Sequence, residues 1–416
     1  MPRNPGYTVA VDLGSTKICC IVGEMREDGN VDVLGVGRAP ARGMRRGAII
    51  NLDAAVEALR TAVEEAETMA GVSVDKAFVG FTGTHIRGFN SRGVVAVPGN
   101  DREVTPADVE KVLGSARSIS LPPDRVVIHV VPQEYTVDDQ EGIGDPVGMT
   151  GSRLEANVHV VTGSITAINN ITNCLNRAGV EVTDIVLDQL ASAESVLTAE
   201  EREAGVALVD IGGAATHLAV FDNGALRHTG VVGLGGEFFT SDIAIGLRTP
   251  NAEAERIKTK YGCAIARMVE DDETIAVPSV GGKKPRRLSR QILCEILQPR
   301  SEELLGLIAE EIERSGYEGA LGSGIVLTGG GAQLEGLVEI GEQIFDAPVR
   351  VGGPTGVGGL VDLVSTPPWA TAVGILRFGA VNRSGRERTL VPAWILDRIT
   401  HRVRDFFTDI LSLGRS

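Results

Sequence analysis

Apolar and polar positions along the chain fall into two textures. Short apolar runs closed by glycine alternate with segments whose apolar residues return every three or four positions. These are the marks of buried strands and of helices with one apolar face. Val9 to Val22, VAVDLGSTKICCIV, reads as strand, turn and strand, with Asp12 ending the first strand and Gly14, Ser15, Thr16 and Lys17 in the turn. Residues 31–38 alternate as a strand. Asp53 to Ala70 predicts a helix capped by Asp53, with Val56, Leu59, Val63, Ala66 and Ala70 on one face and Gly71 at its end. Ala77 to Thr82 is a further buried strand. Over residues 84–163 this α/β pattern gives way to strands at Val126–Val131 and Glu155–Thr162 and one helix opening T-P-A-D at Thr105. Pro106 suits its first position, and Asp108 is placed to close a capping box. The α/β pattern returns with a helix at Ile165–Ala178, a strand at Val182–Leu187 running into Asp188 and Gln189, and a helix at Ala191–Arg202.

Val206 to Phe221, VALVDIGGAATHLAVF, then repeats the opening: strand, Asp210, a turn on Gly212 and Gly213, strand. The two aspartates lie 198 positions apart in a chain of 416. A third strand runs into glycines at GIVLTGGGA, where Gly329, Gly330 and Gly331 stand. One Asp–Gly hairpin is an ordinary turn. Two at half-chain spacing, with a late glycine turn, predict a duplicated fold with a nucleotide between its halves. Glycines let backbone N–H groups approach phosphate, and an Asp can hold hydrated Mg²⁺. Beyond the second hairpin come helices at Glu237–Leu247 and Ala252–Tyr261, a polar stretch from Glu270 to Arg290, and a core that resumes near Ser301 and runs to Phe378.

Composition narrows the class. The length calls for two or more domains. A net charge of −15 argues against general nucleic-acid binding. Five cysteines without a CxxC spacing read as small buried thiols in a reducing cytoplasm. His85, His129 and His159 are scattered and read as structural. The chain enters a strand directly after MPRNPG, so no signal peptide is expected, and no apolar run has the ~20 residues of a membrane span.

The two hairpins and the late glycine turn resemble the phosphate-1, phosphate-2 and adenosine loops of the actin, Hsp70 and sugar-kinase superfamily. Within it, GVGRAPARGMRRGAIINL, HVVPQEYTVDDQEGI, GALRHTGVV, PSVGGKKPRRLSRQ and GIVLTGGGAQLEGL resemble the FtsA family of bacterial cell-division proteins, over residues 7 to about 380. The resemblance implies an actin-like α/β fold of two RNase H-like halves around a nucleotide cleft. Residues 1–83 with 164–203 would form one half and 204–229 with 301–380 the other. Residues 84–163 and 230–300 would be inserted subdomains, 381–392 a linker and 393–416 a membrane-targeting helix. It also implies ATP and Mg²⁺ as ligands. Gly14, Ser15, Thr16 and Lys17 would cradle the phosphates, with Gly212 and Gly213 opposite, and Asp12 and Asp210 would hold Mg²⁺ through water. Glu255 and Lys258, on one helix face, would contact adenosine opposite Gly329–Gly331; a surface ion pair is the plainer reading. Gln189 stands where relatives orient the attacking water. The second loop departs from the superfamily's DxGGGT-x-D at Ala214, Ala215 and His217. Slow or absent turnover is therefore expected, with Thr216 a partial substitute for the missing hydroxyl.

The resemblance further implies self-assembly into head-to-tail polymers and docking of the C-terminal tail of the tubulin-like protein FtsZ on the second inserted subdomain. Lys283, Lys284, Arg286, Arg287 and Arg290, with Arg300 nearby, would steer that acidic tail; a solvated basic loop is the other reading. From Ala393 to Leu413, Ile395, Ile399, Val403, Phe406, Ile410 and Leu413 recur at helical spacing, flanked by Trp394 and Phe407. Residues 381–416 carry seven Arg against four acids, a local +3 suited to anionic lipid on the cytoplasmic face of the inner membrane. A helix docked on the protein's own core is the alternative. A rival function is a small-molecule kinase of sugar or acetate type, which would need an acceptor pocket and a carboxylate base. An actin-like scaffold of cell shape or pilus assembly is another.

Overall fold

The computed structural model describes residues 6–99, 101–278 and 284–384. Two sheets organise it. The first runs in the order Glu181–Leu187, Lys76–Phe81, Tyr7–Leu13, Lys17–Met25, Val31–Pro40 and Val357–Gly359. The second runs Val349–Val351, Ile325–Thr328, Val206–Ile211, Thr216–Asp222 and Ala225–Val232. In each, the Asp-bearing strand pairs antiparallel with its hairpin partner and parallel with a later strand. The duplication holds to the residue: Asp12 and Asp210 are each second from the end of their strand, facing Cys19 and His217 across the hairpin.

The helices Leu52–Ala70 and Ile165–Ala178 close one face of the first sheet, and Asp188–Val196 with Ala370–Ser384 the other. Leu52–Ala70 buries Ala55, Val56, Ala58, Leu59, Ala62, Val63 and Ala66, the stripe its period requires. Its cap is Asn51, not Asp53: Asn51 is extended and its side chain accepts from the Ala54 amide at 3.1 Å. Asp53 sits in the first turn, where its charge favours the helix dipole. The expected helix Ala191–Arg202 is two helices, Asp188–Val196 and Ala199–Ala204. The chain turns extended at Leu197, and Thr198 with Glu201 closes a capping box for the second.

Between the strands at Phe81 and Glu181, residues 84–163 build their own antiparallel sheet, in the order Arg87–Ala96, Arg153–Ser164, Arg125–Val137 and Gln140–Ile143. The helix Pro106–Arg117 packs on it, with the Thr105–Asp108 capping box formed. Two buried histidines fasten this unit to both halves. His129 Nε2 accepts from the Leu187 amide at 3.0 Å, and His159 Nε2 lies 2.9 Å from Thr229 Oγ1. The polar stretch 270–290 contains a hairpin, Thr274–Val277 against Arg286–Ser289. One helix, Arg290–Ser315, then runs unbroken past residue 300 despite Pro299. All five cysteines are buried and unpaired.

Candidate functional site: a cleft between the two hairpins

The two Asp–Gly turns face each other across a cavity of about 510 Å³. Asp12, Gly14, Ser15, Thr16 and Lys17 line it from the first half, and Asp210, Gly212 and Gly213 from the second. Glu255 and Lys258 form a third wall and Gly329, Gly330 and Gly331 a fourth. The two turns nearly touch: a Cβ on Gly213 would overlap the Thr16 Cγ2 methyl. Gly329 is left-handed, at φ 81°, and a Cβ there would collide with Asp210 Oδ1, so only glycine lets the late turn close on the second hairpin.

Charge in the cleft is concentrated and buried. Ser192 and Thr371 hydroxyls donate to Asp210 Oδ2 at 2.7 and 3.0 Å. Burial pushes Asp12 upward, with Lys17 opposing it. A third acid joins them. Asp188 lines the cavity, and its Oδ1 is buried without a hydrogen-bond partner. Burial pushes its carboxyl well above the ordinary range, and the charges of Asp12 and Asp210 add to the shift. Three buried acids with one orphaned oxygen are the donor chemistry a divalent cation satisfies. Among the described residues no three acids, histidines or cysteines form a group placed to ligate an ion directly.

Several predicted residues sit differently from expectation. Gln189, expected beside attacking water, does not line the cavity; it is buried behind His217, Nε2 to Nδ1 at 3.4 Å. Asp188, the residue before it, takes the cavity wall instead, a position the strand-to-helix junction fixes and the sequence pattern does not reveal. Thr216 cannot replace the missing hydroxyl, because its Oγ1 is buried and donates to the Leu234 carbonyl at 2.8 Å. His217 does face the cavity, 2.8 Å from Thr82 Oγ1, and burial lowers its pKa against the pull of Asp210. Lys17 Nζ donates to the Pro368 carbonyl at 2.7 Å and lies 3.8 Å from the centre of the Trp369 ring. Lys258 Nζ reaches Glu255 at 2.7 Å, the Gly236 carbonyl at 2.9 Å and Thr240 at 2.8 Å. The pair is thus an ion pair and a cavity wall at once.

The basic cluster divides. Lys284, Arg286 and Arg287 are exposed. Arg290 is not available to a partner: it is paired with Glu273 at 2.9 Å and Glu335 at 2.7 Å and lines the cleft. Arg300 is held by Asp242, at 2.6 and 3.1 Å, and by Glu303. Lys283 and the predicted tail residues Trp394, Ile395, Ile399, Val403, Phe406, Phe407, Ile410 and Leu413 lie outside the described residues.

A five-strand sheet matched by five of the six strands of the other, around a cleft lined by twin Asp–Gly turns, defines an actin-like fold. The solved PilM–PilN type IV pilus biogenesis complex shares it at a TM-score of 0.64 and 17% identity, covering 91% of this chain and 99% of that one. MreB5 of Spiroplasma citri bound to ADP does so at 0.53 and 15%, covering 92% and 99%. Sequence goes further. The family model for cell division protein FtsA matches residues 207–374, and that for the SHS2 domain inserted in FtsA matches residues 83–162. Cell division protein FtsA of Pseudomonas aeruginosa is 49% identical over 376 residues, 90% of each chain. That of Escherichia coli K12 is 43% identical, covering 89% of this chain and 90% of the relative. That of Bacillus subtilis is 38% identical, covering 92% and 85%. The chain belongs to the FtsA family of cell-division proteins.

Proposed function

We propose that the chain binds Mg·ATP in this cleft, assembles head to tail, and tethers FtsZ filaments to the cytoplasmic face of the inner membrane, where later division proteins join them. The observation that carries the reading is the pair of Asp–Gly turns facing one cavity in identical register. Gly14, Ser15, Thr16, Gly212 and Gly213 would cup the phosphates, and Asp12 and Asp210, with Asp188 between them, would hold hydrated Mg²⁺. Adenosine would lie between the Glu255–Lys258 wall and Gly329–Gly331. Mg²⁺ supplies charge neutralisation for the phosphates; the protein's own groups supply shape and backbone donors. Turnover is slow in this reading. Ala215 offers no hydroxyl, and Gln189 reaches attacking water only by moving past His217.

For FtsZ docking, the surface beside the basic strand is apolar as well as positive. Ile245, on the helix Gly236–Gly246, is 77% exposed and Ile292, on the helix Arg290–Ser315, 41%, and Arg286 donates to the Leu247 carbonyl that ends the first of these helices. An acidic tail with apolar anchors suits that patch. The membrane contact would be the amphipathic segment 393–413, with positive charge supplied by the Arg-rich linker 381–392 before it. A half-buried face of six apolar side chains contributes ~1 kcal/mol each, much of it offset by ordering, so one copy binds weakly and a polymer of many copies binds well. Among the described residues no helix is long and apolar enough to cross a membrane.

Calorimetric titration with Mg·ATP tests the cleft. The unaltered protein should bind and Asp210→Ala should bind more weakly; equal binding by both would remove the cleft from the account.

A further inference from the structure

Lys17 has a second set of partners beside the cleft. Its ammonium donates to the Pro368 carbonyl at 2.7 Å and rests 3.8 Å from the centre of the Trp369 ring. These residues lie 351 and 352 positions away in sequence, on the short turn Pro367–Trp369 that leads into the helix Ala370–Ser384. The turn is not loose. Trp369 is 7% exposed and packs in the core with Cys19, Val364 and Val373, while Pro367 and Pro368 form part of the cavity wall. Two residues on from Trp369, Thr371 donates to Asp210 of the opposite half. The start of this helix therefore engages one charged group from each hairpin.

We propose that Pro368 and Trp369 form a holding site for the Lys17 ammonium that competes with nucleotide phosphate, so that nucleotide affinity is set partly by this contact. The proposal rests on the cleft being the ATP site. An ammonium is a compact charge on a flexible stem, and its three donors can be redirected without moving the backbone. A β- or γ-phosphate offers a full anion in place of a neutral carbonyl and a ring face. Transfer of Lys17 to phosphate therefore leaves the Trp369 ring without its cation. Because a binding-competent lysine is only part of the population, the holding site lowers apparent affinity by that fraction.

The chain supplies its own reporter. It has two tryptophans, Trp369 and Trp394, so Trp394→Phe leaves Trp369 as the single emitter. The full-length variant, without lipid, is titrated with Mg·ATP, Mg·ADP and AMP while calorimetry follows binding in the same samples. Trp369 emission should change on saturation with ATP and with ADP and stay constant with AMP. In the absence of nucleotide, Lys17→Met in the same background should already show the ATP-saturated emission. Trp369→Leu should bind Mg·ATP roughly 2- to 30-fold more tightly, the range of one cation–π contact. Because Trp369 packs in the core, its replacement is read only alongside an unchanged melting temperature, and the single-tryptophan titration decides. Heat of ATP binding without any change in Trp369 emission would overturn the holding site and leave the ATP site standing. Absence of ATP binding heat would overturn both.

Discussion

Gly213 of the second hairpin lies against Thr16 of the first, and the pair offers a perturbation whose size follows from geometry. Replacing Gly213 by Ala puts a methyl into the Thr16 Cγ2 atom while leaving Thr16 Cβ 3.6 Å away. The clash is therefore with one methyl. Thr16 is β-branched and stiff at χ1, so rotation relieves it poorly and the loops must part by about an ångström to reach ordinary contact. Overpacking of this kind costs ~1–3 kcal/mol. Borne by the arrangement that clasps phosphate from both sides, it should weaken Mg·ATP binding by about 5- to 150-fold. Thr16→Ser deletes the offending methyl and keeps the hydroxyl. In the Thr16→Ser background the Gly213→Ala penalty should largely disappear, giving a coupling of ~1–3 kcal/mol in a double-mutant cycle. Calorimetric Kd values for the four proteins measure it, with melting temperatures to show that each is folded. An equal penalty in both backgrounds would refute the claim that the two turns meet at this pair.

The other expectations concern the parts around the cleft. His159 is buried, and burial lowers its pKa to about 3. Above about pH 6.5 it is neutral folded or unfolded; below, only the unfolded chain takes the proton, so stability is lost as pH falls. The stability advantage of the unaltered protein over His159→Gln should therefore shrink by about 1.4 kcal/mol per pH unit from pH 6.5 toward 4, read by urea unfolding; a constant difference would contradict it. Reversing Lys284, Arg286 and Arg287 to Glu, or Ile245 to Glu, should reduce co-sedimentation with FtsZ at low salt and leave Mg·ATP binding intact. Undiminished co-sedimentation would place docking elsewhere. Deleting residues 393–416 should abolish pelleting with anionic vesicles and leave the melting temperature unchanged; continued pelleting would make that segment something other than the tether.

What the sequence disclosed was what it writes locally. Each Asp–Gly hairpin combines an apolar run, a charge at its end and glycines, and the repeat of that pattern foretold the paired sheets. The capping box at Thr105 was equally legible, since Pro106 and Asp108 lie within three residues. Thr198 and Glu201 spelled the same signal, but they fall inside Ala191–Arg202, where no Gly or Pro marks the break at Leu197. The cleft's remaining contents depend on distant pairings. Arg290 looked like surface charge because Glu335, its partner, lies 45 positions on. Lys17 meets Trp369 only because the last helix returns to the first sheet. Asp188 and Gln189 are adjacent in sequence, and which of them faces the cavity is decided by how the strand Glu181–Leu187 hands over to the next helix.

The central claim joins the cleft to the membrane. It is tested most directly by pelleting the full-length protein with anionic vesicles at fixed protein concentration, with Mg·ATP, with Mg·ADP and without nucleotide, each with and without FtsZ filaments. The account predicts that Mg·ATP raises the vesicle-bound fraction, that FtsZ then co-pellets only when the protein is present, and that Asp210→Ala loses the nucleotide effect. Vesicle binding and FtsZ recruitment identical under all three nucleotide conditions would contradict it.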